Sequence, residues 1–134
     1  MIREDEWLSG LYGEQLGSTH DYLRCMTLLR GVVGPHVAEL LNAGLSVVLD
    51  FQANTVDARS WMRGTLDETK AAHVLHLLDV PEEVCLARLK ARNATGEHPF
   101  AVTEAQFRQI SRHFVPPRPE EGFDVQIHRP EATP

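Results

Sequence analysis

The apolar run LSVVLDFQAN, from Leu45 to Asn54, is β-branched at its centre and passes through Asp50 into a polar loop. Such a run is typical of a fully buried strand in a parallel sheet, because both faces are covered and no alternation is needed. In open α/β sheets the ligand binds outside the carboxyl ends of these strands, which makes Asp50 a candidate site residue. A strand-ending aspartate that caps the next helix explains the same pattern, so both interpretations stay open at this point.

Apolar residues at three- and four-residue spacings predict helical structure from about Thr19 to Gly44, with a break or kink at Pro35 that divides it into two pieces. The rest of the pattern predicts first a helix capped by Asn54 or Thr55 that runs to about Lys70, then a buried strand from His73 to Asp79. After these it predicts a helix that is opened by Pro81 and continues to Asn93, a helix capped by Thr103 and Gln106 that runs to about Phe114, and a last strand from Phe123 to His128. This alternation indicates a parallel sheet with helices on both faces.

The 134 residues are enough for one domain with a single core. The formal net charge of −6 argues against nucleic acid as a partner. No apolar run approaches the roughly 18 residues that a membrane helix needs, and no signal-peptide pattern is present. Cys25 and Cys85 lie in predicted helices and are expected to be buried thiols of a cytoplasmic protein rather than a disulfide.

Two charged clusters are candidates for chemistry. The stretch from Arg3 to Glu6 follows a strand end and carries carboxylates that suit a general base or a metal ligand. A solvated helix N-terminus is the commoner explanation of such a cluster. Arg88 and Arg92, four residues apart, share one helix face and suit phosphate binding or stacking on a base, but a solvated basic face explains them as well.

His73 and His76 form a His-x-x-His pair within a predicted strand. Residues three apart on a strand face opposite sides, so we expect these two side chains not to chelate one metal ion together.

Three stretches, taken in order, resemble the small P-loop kinases. LDVPEEVCLARLKARN, with the loop and helix after it, is similar to the strand, arginine-bearing helix and lid of these proteins. VVLDFQAN is similar to their strand and substrate-side loop, and IREDEW to the segment whose acidic residue accepts the substrate hydroxyl proton. The resemblance is to the ATP-binding AAA-type small-kinase group, which is related to polynucleotide kinase, the zeta toxins and chloramphenicol phosphotransferase. It covers the chain from Ile2 to His128.

The resemblance implies a P-loop NTPase-like α/β fold, with a parallel sheet flanked by helices and a lid at about 94–117 that closes over ATP. It implies phosphoryl transfer from ATP to a small hydroxylated acceptor, with Mg²⁺ as the metal ion. The implied roles are as follows: Asp5 is the catalytic base, Asp50 is a catalytic residue on the Mg²⁺ or acceptor side, Asn54 lies on the substrate loop, Arg88 and Arg92 contact the nucleotide, and Arg112 and Arg108 are further nucleotide-binding candidates in the lid.

One part of the family pattern is absent, because no Gly-Lys-Ser/Thr phosphate loop occurs in the 134 residues. Ile2 corresponds to the end of the family's second strand. We therefore expect an N-terminally shortened kinase-like chain without the first strand, the phosphate loop and the first helix. Two alternatives remain: a non-catalytic nucleotide- or phosphate-binding module, and an interaction protein whose open sheet edge pairs with a second copy or another chain.

Overall fold

The chain divides into two compact units, Met1–Ala71 and Ala72–Pro134, of which the computed structural model describes residues 1–97 and 101–131. The first unit has these elements in chain order: β1 (Ile2–Arg3), α1 (Glu4–Tyr12), a 3₁₀ turn (Gly13–Gln15), α2 (Thr19–Asn42), β2 (Leu49–Asp50) and α3 (Val56–Gly64). The second unit has β3 (Leu75–Leu78), α4 (Glu82–Thr95), α5 (Glu104–Arg112), a 3₁₀ turn (Pro119–Glu121) and β4 (Val125–His128). The single domain predicted for residues 1–134 stays a prediction.

The strands pair in parallel, as the alternation of strands and helices predicted. In the first unit β1 pairs with β2, so that Ile2 lies opposite Leu49 and Arg3 opposite Asp50. In the second unit β3 pairs with β4 along the full length of both strands. The α/β class with parallel strands is therefore confirmed. The strands that the structure describes form two sheets of two strands each, however, and not one continuous sheet.

The prediction of a buried strand from Leu45 to Asp50 is wrong in both length and burial. Only Leu49 and Asp50 belong to β2, and the preceding Leu45 and Val48 are each 57 % exposed. Strand side chains become buried when helices cover the faces of the sheet, and the exposure of Leu45 and Val48 shows that this stretch is not covered within residues 1–97 and 101–131. In these residues β2 also has a strand neighbour on one side only, so its other edge is open. Pairing of this open edge with a second copy or another chain stays a prediction.

The core of the first unit lies along one face of α2. Its buried residues recur every four positions on this face: Cys25, Leu29, Val33 and Val37. This spacing is that of an amphipathic helix whose apolar stripe faces a core. Helix α1 packs against α2 and contributes the fully buried Leu8.

The predicted break at Pro35 is wrong, because α2 continues through this residue without interruption. Proline removes one backbone donor, which in a helix leaves the carbonyl four residues earlier without its partner. That carbonyl belongs to Gly31, and both residues are exposed on the outer face of α2. Water can therefore replace the missing donor, and the helix is retained.

Helix starts agree with the predicted capping residues. The Thr55 side chain accepts a hydrogen bond from the Ala58 N–H at the start of α3, and Thr103 and Gln106 form a reciprocal capping box at the start of α5. Helix α4 begins directly after Pro81. Helix α3 ends at Gly64, earlier than predicted, and residues 65–68 continue as turns.

Strand β3 is shorter than the predicted strand from His73 to Asp79, and its residues alternate between half-buried and exposed. All four residues of β4 are exposed. The predicted full burial is therefore wrong, because burial on both faces requires helices packed on both sides of a strand. Each of these strands also has one strand neighbour only among the residues described. Among residues 72–97 and 101–131, the buried apolar residue is Leu89 of α4.

Cys25 and Cys85 are both free thiols, as predicted, but only Cys25 is buried and Cys85 is half-buried. None of the helices in the described part of the chain is long and apolar enough to span a membrane.

Candidate functional site

The side chain of Glu4 continues the parallel pairing of β1 and β2 beyond the strands. Strand β1 ends at Arg3, where the chain turns into α1, so no strand residue remains to pair with the loop after β2. The Glu4 carboxylate takes that place, because its Oε2 accepts a hydrogen bond from the Gln52 backbone N–H at 3.2 Å. The carboxyl ends of both strands are thereby joined at one point, on the edge where α/β sheets bind ligands.

Arg30 of α2 contacts both partners of this hydrogen bond. Its Nη2 lies 3.4 Å from each Glu4 carboxylate oxygen and donates to the Gln52 carbonyl oxygen at 3.3 Å. The side chains of Arg30 and Glu4 are only 12 % and 3 % exposed. Burial raises the pKa of Glu4, while the Arg30 guanidinium and the Gln52 N–H act against this rise. The buried carboxylate therefore depends on Arg30 for charge compensation.

Aromatic rings contact Arg30 and the residue after β2. The Arg30 guanidinium carbon lies 5.2 Å from the centroid of the Trp61 ring, within the range of a cation–π contact. The Trp61 Nε1–H donates to the Arg30 backbone oxygen at 3.3 Å. Phe51 stacks on Trp61 with ring centroids 5.4 Å apart and planes inclined by 25°. Helices α2 and α3 are thus connected to the end of β2.

Arg59 of α3 is fully buried and holds the next residue of the loop, because its Nη1 donates to the Ala53 carbonyl oxygen at 2.9 Å. We call residues 51–54 the 51–54 loop. Its first three residues are each held by side chains from other elements: Phe51 by Trp61, Gln52 by Glu4 and Arg30, and Ala53 by Arg59.

Gly34 of α2 leaves the room that Trp61 occupies. A Cβ at position 34 would lie 3.2 Å from Trp61 Nε1, closer than ordinary van der Waals contact. Alanine normally stabilises a helix interior over glycine by about 0.5–1 kcal/mol. We expect Gly34→Ala not to show this stabilisation, because the Trp61 ring must shift to make room for the added Cβ. Such overpacking costs about 1 kcal/mol or more.

Gly31→Ala is the matched control, since position 31 is exposed on the same helix and has no atom within 4 Å of an added Cβ. Gly31→Ala should show the full increase of about 0.5–1 kcal/mol in the free energy of unfolding. Urea denaturation followed by tryptophan fluorescence compares the two variants. Equal stabilisation by both would contradict the packing of Trp61 against Gly34.

Asp5 follows Glu4 in the first turn of α1 and is half-buried. Burial, with the charges of Glu4 and Asp5 added to it, raises the pKa of Tyr22 on α2 to about 12. The Tyr22 hydroxyl therefore keeps its proton at neutral pH and can donate a hydrogen bond. This end of the β1–β2 pair combines carboxylates that can accept a proton with a hydroxyl group that retains one.

Asp50 ends β2 and is exposed, and Asn54 is half-buried directly before the cap residue of α3. Neither side chain has a hydrogen-bond or ion-pair partner within residues 1–97 and 101–131. Both are therefore available to a ligand at the carboxyl end of β2. The roles predicted for Asp5, Asp50 and Asn54 stay predictions.

The arginines predicted to bind nucleotide lie in the second unit. Arg88 and Arg92 are exposed on α4, and Arg112 is exposed at the end of α5. Within the part that the structure describes, these three side chains have no hydrogen-bond or ion-pair partner. Arg108 differs from them, because it pairs with Glu104 at 2.7 Å. Their roles in nucleotide binding also stay predictions.

Of the predicted lid at 94–117, residues 98–100 lie outside the described residues. Helix α4 extends to Thr95, further than predicted, and the Asn93 side-chain amide donates to the Val102 carbonyl oxygen at 2.7 Å. Lys90 and Arg108 both bind Glu104, which connects α4 to α5, and hydrogen bonds from these two cations lower the pKa of Glu104. The closing motion of a lid stays a prediction.

No group of three or more His, Cys, Asp or Glu side chains that could hold a metal ion occurs in residues 1–97 and 101–131. In phosphoryl-transfer sites Mg²⁺ is bound by only one or two carboxylates, together with phosphates and water. Asp50, exposed and unpaired among the described residues, fits this mode. The side chains present thus suit the metal and acceptor side of such a site, and no Gly-Lys-Ser/Thr cradle for phosphates is found in the 134 residues.

His73 precedes β3, so the predicted placement of His73 and His76 on opposite faces of one strand is wrong, and the two side chains contact different partners. The His73 Nε2 accepts a hydrogen bond from the Asp124 N–H at 3.2 Å. His76 Nδ1 instead lies 2.9 Å from His128 Nε2 on the neighbouring strand. The sequence does not predict this pair, because the register of β3 against β4 is a tertiary property.

Glu4 and Arg30 are the site residues that the sequence does not single out, although a signal for Arg30 exists. Arg30 lies on the apolar stripe of α2 between Leu29 and Val33. A cation at such a position must bring a counter-charge into the core. Nothing in the sequence distinguishes Glu4 from its acidic neighbours as that counter-charge.

The profile of the AAA domain family matches residues 1–117. The chain belongs to the AAA domain family. The match includes the whole first unit and all the candidate site residues named above. No curated protein and no solved structure matched the chain.

An AAA domain of this kind is a P-loop kinase-like, nucleotide-binding domain, and the family generally binds its nucleotide with Mg²⁺. The resemblance to small P-loop kinases is thus confirmed at the level of the family. The narrower relation of this AAA domain to polynucleotide kinase, the zeta toxins and chloramphenicol phosphotransferase stays a prediction, as does the shortened N-terminus.

Proposed function

We propose that this AAA domain transfers the γ-phosphoryl group of ATP to a small hydroxylated acceptor. The observation that supports this most is the position of Asp5, Asp50 and Asn54 at the joined carboxyl ends of β1 and β2. Ligands of α/β sheets bind at this edge, and the family binds nucleotide. The acceptor would bind beside the first turn of α1 and the 51–54 loop, where the side chains of Asp5, Asp50 and Asn54 lie.

In the proposed reaction the acceptor hydroxyl oxygen forms a bond to the γ-phosphorus of ATP. The bond from that phosphorus to the β–γ bridging oxygen breaks, and ADP leaves with the electron pair. Asp5 accepts the hydroxyl proton, and Asn54 hydrogen-bonds the acceptor to orient it. Mg²⁺, when bound at Asp50, would neutralise charge on the phosphates.

Arg88, Arg92 and Arg112 are proposed to bind the nucleotide. A guanidinium group presents several N–H donors in a planar fork that suits phosphate oxygens, and it also stacks on a base. The three side chains are exposed and lack a partner among the described residues, so binding would not have to break an ion pair seen there.

Replacement of Arg88 or Arg92 by alanine is expected to weaken ATP affinity by roughly 10- to 100-fold, because one charged hydrogen bond contributes about 1.5–3 kcal/mol. Isothermal titration calorimetry with MgATP measures this effect, on the 134-residue chain and on the same chain with any in-frame sequence that precedes it in its gene. Addition of a segment that carries Gly-Lys-Ser/Thr should strengthen binding.

Lys90→Ala is the matched control, since Lys90 lies on α4 between the two arginines and already pairs with Glu104 at 3.3 Å. An exposed ion pair of this kind contributes little to stability. If Lys90→Ala weakens ATP binding as much as Arg88→Ala and Arg92→Ala do, the arginines are not specific nucleotide ligands.

A non-catalytic nucleotide- or phosphate-binding module is the second candidate. The observation in its favour is that unpaired arginines occur on α4 while no Gly-Lys-Ser/Thr occurs in the 134 residues. Such a module would bind ATP or a phosphorylated ligand without turnover. ATP binding accompanied by no formation of ADP in the presence of acceptors would favour it over the kinase.

A further inference from the structure

We propose that Glu4 and Arg30 are positioning residues, which hold the 51–54 loop in the conformation that presents Asp50 and Asn54 to the acceptor. That an acceptor binds at Asp50 and Asn54 rests on the proposed function. The ordering of the loop by the two side chains can be measured without any catalytic activity.

The ion pair of Glu4 and Arg30 satisfies both backbone groups of one loop residue, Gln52. The Gln52 N–H donates to Glu4 Oε2 at 3.2 Å, and the Gln52 carbonyl oxygen accepts from Arg30 Nη2 at 3.3 Å. In a sheet these two groups would be bound by a neighbouring strand. Here the two charged side chains replace the strand and continue the ladder by one more residue.

The Glu4–Arg30 pair, which we call the clamp, is anchored in the core of the first unit and does not lie on its surface. Arg30 belongs to the inner face of α2, and its guanidinium group packs over Trp61 of α3. Trp61 is in turn hydrogen-bonded to the Arg30 backbone and stacked on Phe51. The loop conformation is therefore coupled to the packing of two helices, which is the kind of support that keeps a binding group in place.

The burial of Glu4 argues against a catalytic role for its carboxylate. Glu4 is only 2 % exposed, so an acceptor hydroxyl cannot reach its carboxylate while the loop is in place. The side chains on either side of the clamped residues, Asp50 and Asn54, have no partner within residues 1–97 and 101–131. The clamp thus fixes the backbone between two polar side chains and leaves both of them available to a ligand.

The test compares two double variants of the 134-residue chain by amide hydrogen exchange in NMR. Glu4→Gln with Arg30→Met removes both charges of the clamp and keeps the approximate shape of both side chains. Removal of a whole buried ion pair, rather than one half of it, leaves no uncompensated charge, so this variant is expected to fold. We expect the Gln52 amide to exchange roughly tenfold faster or more than in the wild type, because a charged acceptor is lost.

Arg3→Met with Glu6→Gln is the matched control. It removes the neighbouring ion pair, whose atoms lie 2.9 Å apart and whose side chains are largely exposed. This variant should leave the exchange of the Gln52 amide unchanged, since among the described residues Arg3 and Glu6 pair with each other and neither is hydrogen-bonded to the 51–54 loop. An equal acceleration in both double variants would overturn the proposal.

The amides of Val33 and Val37 in α2 report on unfolding of the core and separate a local effect from a global one. If they accelerate by the same factor as the Gln52 amide in the clamp variant, the pair stabilises the unit as a whole and the proposed positioning role is wrong. Acceleration confined to the 51–54 loop supports it.

A second readout addresses the acceptor. In a phosphoryl-transfer assay the clamp variant is expected to raise the KM for the acceptor about tenfold while the affinity for ATP stays unchanged. An unchanged acceptor KM would overturn the proposal. No phosphoryl transfer by the wild type would contradict the proposed function instead, and the exchange measurement would still decide whether Glu4 and Arg30 order the loop.

Discussion

Replacement of Leu8 by alanine is expected to lower the free energy of unfolding of the first unit by about 2–5 kcal/mol. Leu8 is fully buried on α1, which packs against the apolar stripe of α2. The variant removes apolar contact area and leaves a cavity that the surrounding helices can close only in part. Urea denaturation measures the change.

Leu11→Ala is the control for this prediction, because Leu11 lies on the same helix and is 62 % exposed. Its effect should be within about 0.5 kcal/mol. Trp7 and Trp61 both belong to the first unit, so tryptophan fluorescence follows the unfolding of that unit specifically. Similar destabilisation by Leu8→Ala and Leu11→Ala would mean that α1 does not pack on α2 through Leu8.

Asp5→Asn is expected to lower the turnover of phosphoryl transfer by roughly 10²- to 10⁴-fold, the usual contribution of a general base. Asparagine has nearly the same shape as aspartate, but it cannot accept the hydroxyl proton. Affinity for ATP should stay the same, because the proposed role of Asp5 is on the acceptor side. Steady-state kinetics and ATP titration together measure both quantities.

Glu6→Gln is the control, since Glu6 is an exposed residue of the same helical turn and its partner is Arg3. It should leave turnover near that of the wild type. If Asp5→Asn retains full turnover, the base is a different residue, and if both variants lose turnover equally, the effect comes from the charge of the whole segment.

Much of the local structure can be predicted from the sequence because it depends on short-range interactions. The capping box of Thr103 and Gln106 and the cap at Thr55 involve residues three positions apart, and both are found as predicted. The parallel pairing of strands also agrees with prediction, since connections that pass through helices favour it.

The burial of strands is not predictable in the same way, because it depends on which neighbours cover them. The sequence around Leu45 and Val48 is that of a strand covered on both faces, yet both side chains are largely exposed. Pro35 illustrates a related limit. Its effect on α2 depends on whether water can reach the carbonyl of Gly31, which is a property of the folded unit.

The candidate site shows the same division between local and long-range information. Asp5, Asp50 and Asn54 are predicted from their positions next to strand ends, a local pattern. The clamp of Glu4 and Arg30 joins residues 26 positions apart in the sequence. Only the packing of α1, α2 and the 51–54 loop brings them together, so no pattern of neighbouring residues can identify the pair.

The most direct test of the central proposal is a phosphoryl-transfer assay with the protein produced from its native gene, MgATP and a pool of small hydroxylated compounds, analysed by mass spectrometry. We expect one or a few compounds to gain the mass of a single phosphoryl group while an equal amount of ADP forms. ATP binding without ADP formation and without any phosphorylated compound would contradict the proposed phosphotransferase activity.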